Sequence, residues 1–204
     1  MSAAAVERVP VRWGFVEAVK FVSGVTTLAA ELAAARLIAP AFGASTIVWA
    51  NTIAIALAAL AIGYWLGGRL ADRHPNARAM ARGGLVGAVM VALIPLVGIP
   101  LLSVTEDIGE FGGSFLAQLV LVAPPLVVLG ALTPWAIRLR VDSVDGAGET
   151  TGRLYALSTA GGLVGNFAAA LALIPLVGTT WTFIIAAALL AVVCLPKAWS
   201  SKPA

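Results

Sequence analysis

The side chains best placed to do chemistry in this chain are polar groups set in long apolar runs. Glu31 is the clearest. A charge at the centre of a membrane span costs about 2.5–3.5 kcal/mol on insertion scales, so by default it marks a pathway, a relay or a partner. Glu31 could receive a cation or a proton, or pair with Arg36 or with a residue from another helix; the structural reading is an ion pair, or a glutamate at the interface where the helix ends early. Arg36 lies nearer the end of the run and can extend its head to the interface, as an anchor or partner. Asn51, Gln118 and Asn166 lie in three other apolar runs. Such side chains typically hydrogen-bond between helices for about 0.6 kcal/mol. The alternative is convergence with Glu31 on one polar cavity, and these four are the candidate solute-binding residues.

No catalytic group stands out. His74 has no partner at a useful spacing, Cys194 is the single cysteine, and neither a nucleophile–base pair nor a metal-ligand cluster is visible. No catalytic residue, metal or cofactor is expected.

The chain that must position these groups is 60% hydrophobic and 11% charged, with a mean hydropathy of +0.98. Soluble domains carry about 25% charged residues, so this is an integral membrane protein and the lipid bilayer is its solvent. The net charge of +3 is segregated into loops. That pattern is a topology signal and argues against a nucleic-acid partner.

Between the second and third apolar runs lie Arg69, Arg73, Arg78 and Arg82, opposed by Asp72. Under the positive-inside rule this loop is cytoplasmic. The connector with Glu106, Asp107 and Glu110 contains no Lys or Arg and belongs outside, whereas Arg138 to Arg153 and the trailing Lys197 and Lys202 return inside. The opening Met1 to Lys20, with Arg8, Arg12 and Lys20, resembles a secretory n-region, but the apolar run after it is long enough to span and reads as a retained first helix.

The expected architecture is all-α: one polytopic domain over 1–204 with six spans at about 14–38, 47–66, 85–102, 115–137, 154–177 and 181–195, both termini cytoplasmic, in the cell membrane. Pro40 and Gly43 mark the first turn, and Ser45 or Thr46 can cap the second helix. Pro124, Pro125 and Pro134 should kink or break the fourth span. Trp13, Trp49, Trp65, Trp135, Trp181 and Trp199 fall near span ends, where indoles anchor in the interface.

Gly83-Gly-Leu-Val-Gly87 followed by Ala92-Leu-Ile-Pro-Leu-Val-Gly98 recurs as Gly161-Gly-Leu-Val-Gly165 followed by Ala172-Leu-Ile-Pro-Leu-Val-Gly178. Either the third and fifth spans share a parallel repeat, or an Ala-, Gly- and Leu-rich chain repeats by coincidence. Gly83/Gly87, Gly161/Gly165 and Gly63/Gly67 are small-xxx-small pairs that let helices approach closely.

Glu31-Leu-Ala-Ala-Ala-Arg36, Pro40-Ala-Phe-Gly-Ala-Ser45, Gly67-Gly-Arg-Leu-Ala-Asp-Arg73 and Gly152-Arg-Leu-Tyr-Ala-Leu-Ser-Thr-Ala-Gly-Gly-Leu-Val-Gly165 together resemble the membrane domain of membrane-bound spermidine synthase-like proteins. Gly67-Gly-Arg-Leu-Ala-Asp-Arg73 alone also resembles the loop between helices two and three of major-facilitator transporters. Ser158 stands where the resemblance leads one to expect Asn, which puts a polar-site role there in question. The resemblance implies a transporter-like membrane protein handling a small cationic solute such as a polyamine, with Gly67, Gly68, Arg69, Asp72 and Arg73 ordering or gating a loop. Six spans are half of the usual twelve, so a homodimer is implied. The alternative is a non-catalytic membrane subunit that anchors and positions a separate soluble spermidine synthase-like enzyme. The family's aminopropyltransferase half is not expected in this sequence, whether it is a stand-alone subunit or a fragment.

Overall fold

A computed structural model describes residues 14–141 and 143–199; the expectations for Arg8, Arg12, Trp13, Lys202 and the two termini lie outside the described residues. Among the described residues the chain is helical, without a strand. The helices are α1 (Phe15–Phe42), α2 (Thr46–Arg73), α3 (Ala77–Thr105), α4 (Glu110–Leu121), α5 (Ala123–Arg140), α6 (Ala147–Ala168) and α7 (Ile174–Ala198). A 3-10 turn (Glu106–Ile108) joins α3 to α4, and a π-helical segment (Ala169–Leu173) joins α6 to α7. Four helical stretches are long and apolar enough to cross a membrane, and the bent pair α4–α5 makes a fifth.

Local chemistry sets the boundaries. Ser45 caps α2, its Oγ accepting from the Val48 N–H at 3.3 Å, and Asn76 caps α3, its Oδ1 accepting from the Ala79 N–H at 2.7 Å. At the fourth span the chain bends by 49° between α4 and α5. Pro124 and Pro125 begin the new helix there, where missing N–H groups cost least. The stretch Ala147–Ala198 covers 52 residues, about 78 Å at 1.5 Å per residue against a hydrocarbon core of about 30 Å. It is interrupted at Gly178, whose φ of 86° and ψ of 169° are not helical.

The helices overrun the expected spans. The second runs on through Gly67, Gly68, Arg69, Asp72 and Arg73, so these residues form the last turns of α2, and the link to α3 is only His74–Asn76. Leaving the apolar slab does not end a helix. A helix ends where its hydrogen bonding stops, and here packing on α5 carries it further: a Cβ on Gly67 would meet the Ala131 backbone, and one on Gly68 would lie 3.9 Å from the Pro134 Cβ.

Two parallel helix pairs frame the bundle. A Cβ on Gly161 would strike the Phe21 carbonyl and one on Gly165 the Val25 carbonyl, so α6 lies in register along α1 at backbone contact distance. Likewise Gly63 meets the Val127 carbonyl and Gly67 meets Ala131, setting α2 along α5. α3 and α7 pack together behind them, α7 against α1 and α3 against α5. The order of neighbours is therefore α6, α1, α7, α3, α5, α2, a ring that remains open between α6 and α2. The core gathers Val19, Met80, Val91, Leu126, Leu132 and Leu190 where these helices meet.

Candidate functional site

The opening in the ring leads to a cavity of about 380 Å³ between the two parallel pairs. α1 contributes Lys20, Ser23, Gly24, Thr27 and Leu28, a spacing that places one polar face of the helix on the cavity. α6 presents Tyr155, Ser158, Thr159, Gly162 and Asn166 opposite, while α5 adds Gly130 and Thr133 and α2 adds Leu60 and Tyr64. The π-helical turn begins three residues after Asn166, and such turns often sit at functional sites. Pro175 accounts for it locally, because it withholds the donor that the Leu171 carbonyl would otherwise receive.

Lys20 dominates the chemistry of this cavity. Its side chain is 1% exposed, and Nζ donates to Thr133 Oγ1 at 2.7 Å. An ammonium has three donors. The ion pairs among the described residues involve Asp72 and Glu17, none of them reaches Lys20, and no carboxylate lines the cavity.

A second cluster lies one turn below, at the end of the bundle that carries the arginines. Glu17, 3% exposed, receives Arg140 Nη2 on Oε2 at 2.6 Å and Arg153 Nη2 on Oε1 at 3.6 Å. It also accepts the Gly14 N–H at 3.1 Å, capping its own helix. One carboxylate thereby fastens the start of α1, the end of α5 and the first turns of α6. Beside it, a pocket of about 900 Å³ is lined by His74, Arg78, Arg82, Trp135, Arg140 and Lys197.

The expected site residues divide. Asn51 and Gln118 meet at the opposite, acidic end of the bundle: Asn51 Nδ2 donates to Ser114 Oγ at 2.9 Å and to the Phe111 carbonyl at 3.0 Å, and Gln118 Nε2 donates to the Val48 carbonyl at 3.4 Å. Both bond α2 to α4. Asn166 lines the Lys20 cavity; Glu31 does not. Glu31 is half-buried, and among the described residues it has neither a hydrogen bond nor an ion pair, with Arg36 exposed and apart from it. The four residues do not converge: Asn51 and Gln118 are engaged between α2 and α4, Asn166 lines the Lys20 cavity, and Glu31 is in neither place.

Asp72 pairs with Arg138 across to α5 at 3.4 Å, and Arg69 stacks on Trp65, its guanidinium carbon 3.9 Å from the ring centre. Trp135 is not an interface anchor. It is 4% exposed and its Nε1 donates to the His74 carbonyl at 3.1 Å, tying the end of α2 to α5. Trp49, Trp65, Trp181 and Trp199 are exposed.

Sequence reasoning missed Glu17 and Lys20. Both fall inside the first expected span, so the cost argument applied to Glu31 applied to them too; reading Lys20 as a flanking charge concealed it. Ser158, set aside for departing from Asn, lines the cavity.

The comparisons with known proteins come out empty. No family model, no curated protein and no solved structure matches this chain.

Proposed function

We infer that this chain is a transporter-like membrane protein whose solute site is the cavity between the α1–α6 and α2–α5 pairs. The observation that carries the reading is Lys20: a buried cation lining a largely apolar cavity, dotted with hydroxyls, between membrane-length helices. Intramembrane charges of this kind mark solute and ion pathways, and small-molecule sites commonly measure about 300–1,000 Å³.

In this reading the chain crosses the cell membrane six times, α4–α5 counting as one crossing and Gly178 dividing the long helical stretch into two. Both termini and the arginine-bearing turns lie in the cytoplasm, so Glu17, Arg140 and Arg153 close the cavity on that side. The opening between α6 and α2 faces a second copy, which completes the walls. A polyamine finds less support than a transport role as such, because Glu31 is not in the cavity and the charged side chain that is there is a lysine. Docking of a separate enzyme is served less well: in the loops Arg69–Arg82 and Arg138–Arg153 that would form its platform, Arg69, Asp72, Arg138, Arg140 and Arg153 are engaged within the chain.

Accessibility tests the reading. Cysteine at Asn166 should react with a membrane-impermeant thiol reagent from either face of reconstituted vesicles, with the parent protein and its buried Cys194 as the control. Reaction from one face only, or from neither, would rule out alternating access.

A further inference from the structure

We propose that the Lys20 cavity binds a small organic monoanion, a carboxylate with a compact apolar or hydroxyl-bearing body. This rests on reading the cavity as the solute site and names the chemical class of the solute. Lys20 and Thr133 both line the cavity, Lys20 Nζ donates to Thr133 Oγ1 at 2.7 Å, and Lys20 has no ion pair among the described residues. A buried cation needs a compensating negative charge, and the one nearby in sequence, Glu17, already serves two guanidinium groups. Counting Glu17, Lys20, Arg140 and Arg153 together, one negative charge faces three positive ones. The cavity is where the shortfall can be met.

The lining sets the class more closely. A single ammonium in the cavity matches one negative charge; an inorganic phosphate dianion would call for a second cation, and the two arginines below are committed to Glu17. The hydroxyls of Ser23, Thr27, Ser158 and Thr159 and the amide of Asn166 can satisfy carboxylate lone pairs or a hydroxyl on the ligand, while Leu60 and its aliphatic neighbours take an apolar body.

The experiment reads charge preference without needing the natural ligand. In full-length protein, cysteine is placed at Thr159, and its reaction rates are compared for the negatively charged 2-sulfonatoethyl and the positively charged 2-trimethylammonioethyl methanethiosulfonates. A focused positive potential should raise the anion-to-cation rate ratio by about tenfold over that of the same protein carrying Lys20→Met. Sodium acetate, lactate and benzoate should slow labelling in the Lys20 protein and leave Lys20→Met unaffected. A ratio that does not change on Lys20→Met, or carboxylates that slow neither protein or both equally, would overturn the anion site. If Lys20→Met fails to insert, the Lys20 protein decides alone: protection by the carboxylates and not by spermidine supports the proposal, and protection by spermidine and not by the carboxylates defeats it. One-sided labelling at position 166 would sink transport and leave this charge preference standing. Two-sided labelling without the preference would do the reverse.

Discussion

Gln118 and Glu31 show how differently a polar side chain can be carried in an apolar helix. Gln118 is fully buried, its Nε2 bonded weakly at 3.4 Å and its Oε1 without a partner among the described residues. An unmet buried acceptor costs about 1–3 kcal/mol, so replacement by an apolar group of similar shape can be neutral or better. Gln118→Leu is therefore expected to leave the thermal midpoint unchanged or to raise it, and a fall of several degrees would show that the amide is a positive contributor to the α2–α4 contact. Glu31 has no ion pair to lose. Glu31→Gln should keep or raise stability, since the charge is removed from a span where it costs about 2.5–3.5 kcal/mol. A lower midpoint in the detergent-solubilised protein would reveal a partner that the geometry does not contain. Both residues were legible in the sequence as polar groups in spans. The partner of Gln118 was not, because a hydrogen bond to the Val48 carbonyl depends on which helix lies alongside.

At the level of elements, close approach is what glycine makes available. Gly161 and Gly83 occupy the same place in the repeated Gly-Gly-Leu-Val-Gly motif, yet a Cβ on Gly161 would meet the Phe21 carbonyl, while one on Gly83 would lie 3.6 Å from Leu132 Cδ2. Gly161→Ala should cost about 1–3 kcal/mol by overpacking a backbone that cannot yield, and Gly83→Ala should cost little. Thermal unfolding of the two variants side by side checks this, and equal effects would mean that α1 and α6 are not in backbone contact. The ion cluster is the second element-scale device. Glu17→Gln leaves Arg140 and Arg153 without their carboxylate, an expected loss of about 1.5–3 kcal/mol for charged hydrogen bonds, toward the lower end because Arg140 is 38% exposed. If the cluster closes the cavity, the same variant should speed labelling of a cysteine at Thr159 from the arginine-rich side; an unchanged rate alongside lower stability would make it a structural tie and nothing more.

For the whole molecule, the charge census makes a prediction that the helix packing alone does not. On the proposed topology, cysteine at Arg78 should be modified from the cytoplasmic face only, because the positive-inside rule assigns the four arginines from Arg69 to Arg82 to that side; modification from outside intact cells would invert the assignment. The membrane-length helices, the break near Pro124 and the Ser45 cap could be read from sequence because each rests on local chemistry: apolar length, missing N–H groups, a hydroxyl beside a free amide. The site could not, since it is made by surfaces from four helices far apart in the chain, and a lysine near a span end looks like an ordinary flank until Thr133 is seen bonded to it. The repeated Ala-Leu-Ile-Pro-Leu-Val-Gly makes the division plain. At 92–98 it lies within the continuous α3, with Gly98 packed against Leu37 and Leu121. At 172–178 the same seven residues leave a π-helical segment and end at Gly178 with φ of 86°, where a Cβ would meet nothing within 4 Å. The sequence by itself determined that both copies are apolar, proline-weakened and able to break at glycine. Only the tertiary structure decided which one does, because Leu37 and Leu121 pack against Gly98 and hold the first copy straight, while nothing lies within 4 Å of a Cβ at Gly178.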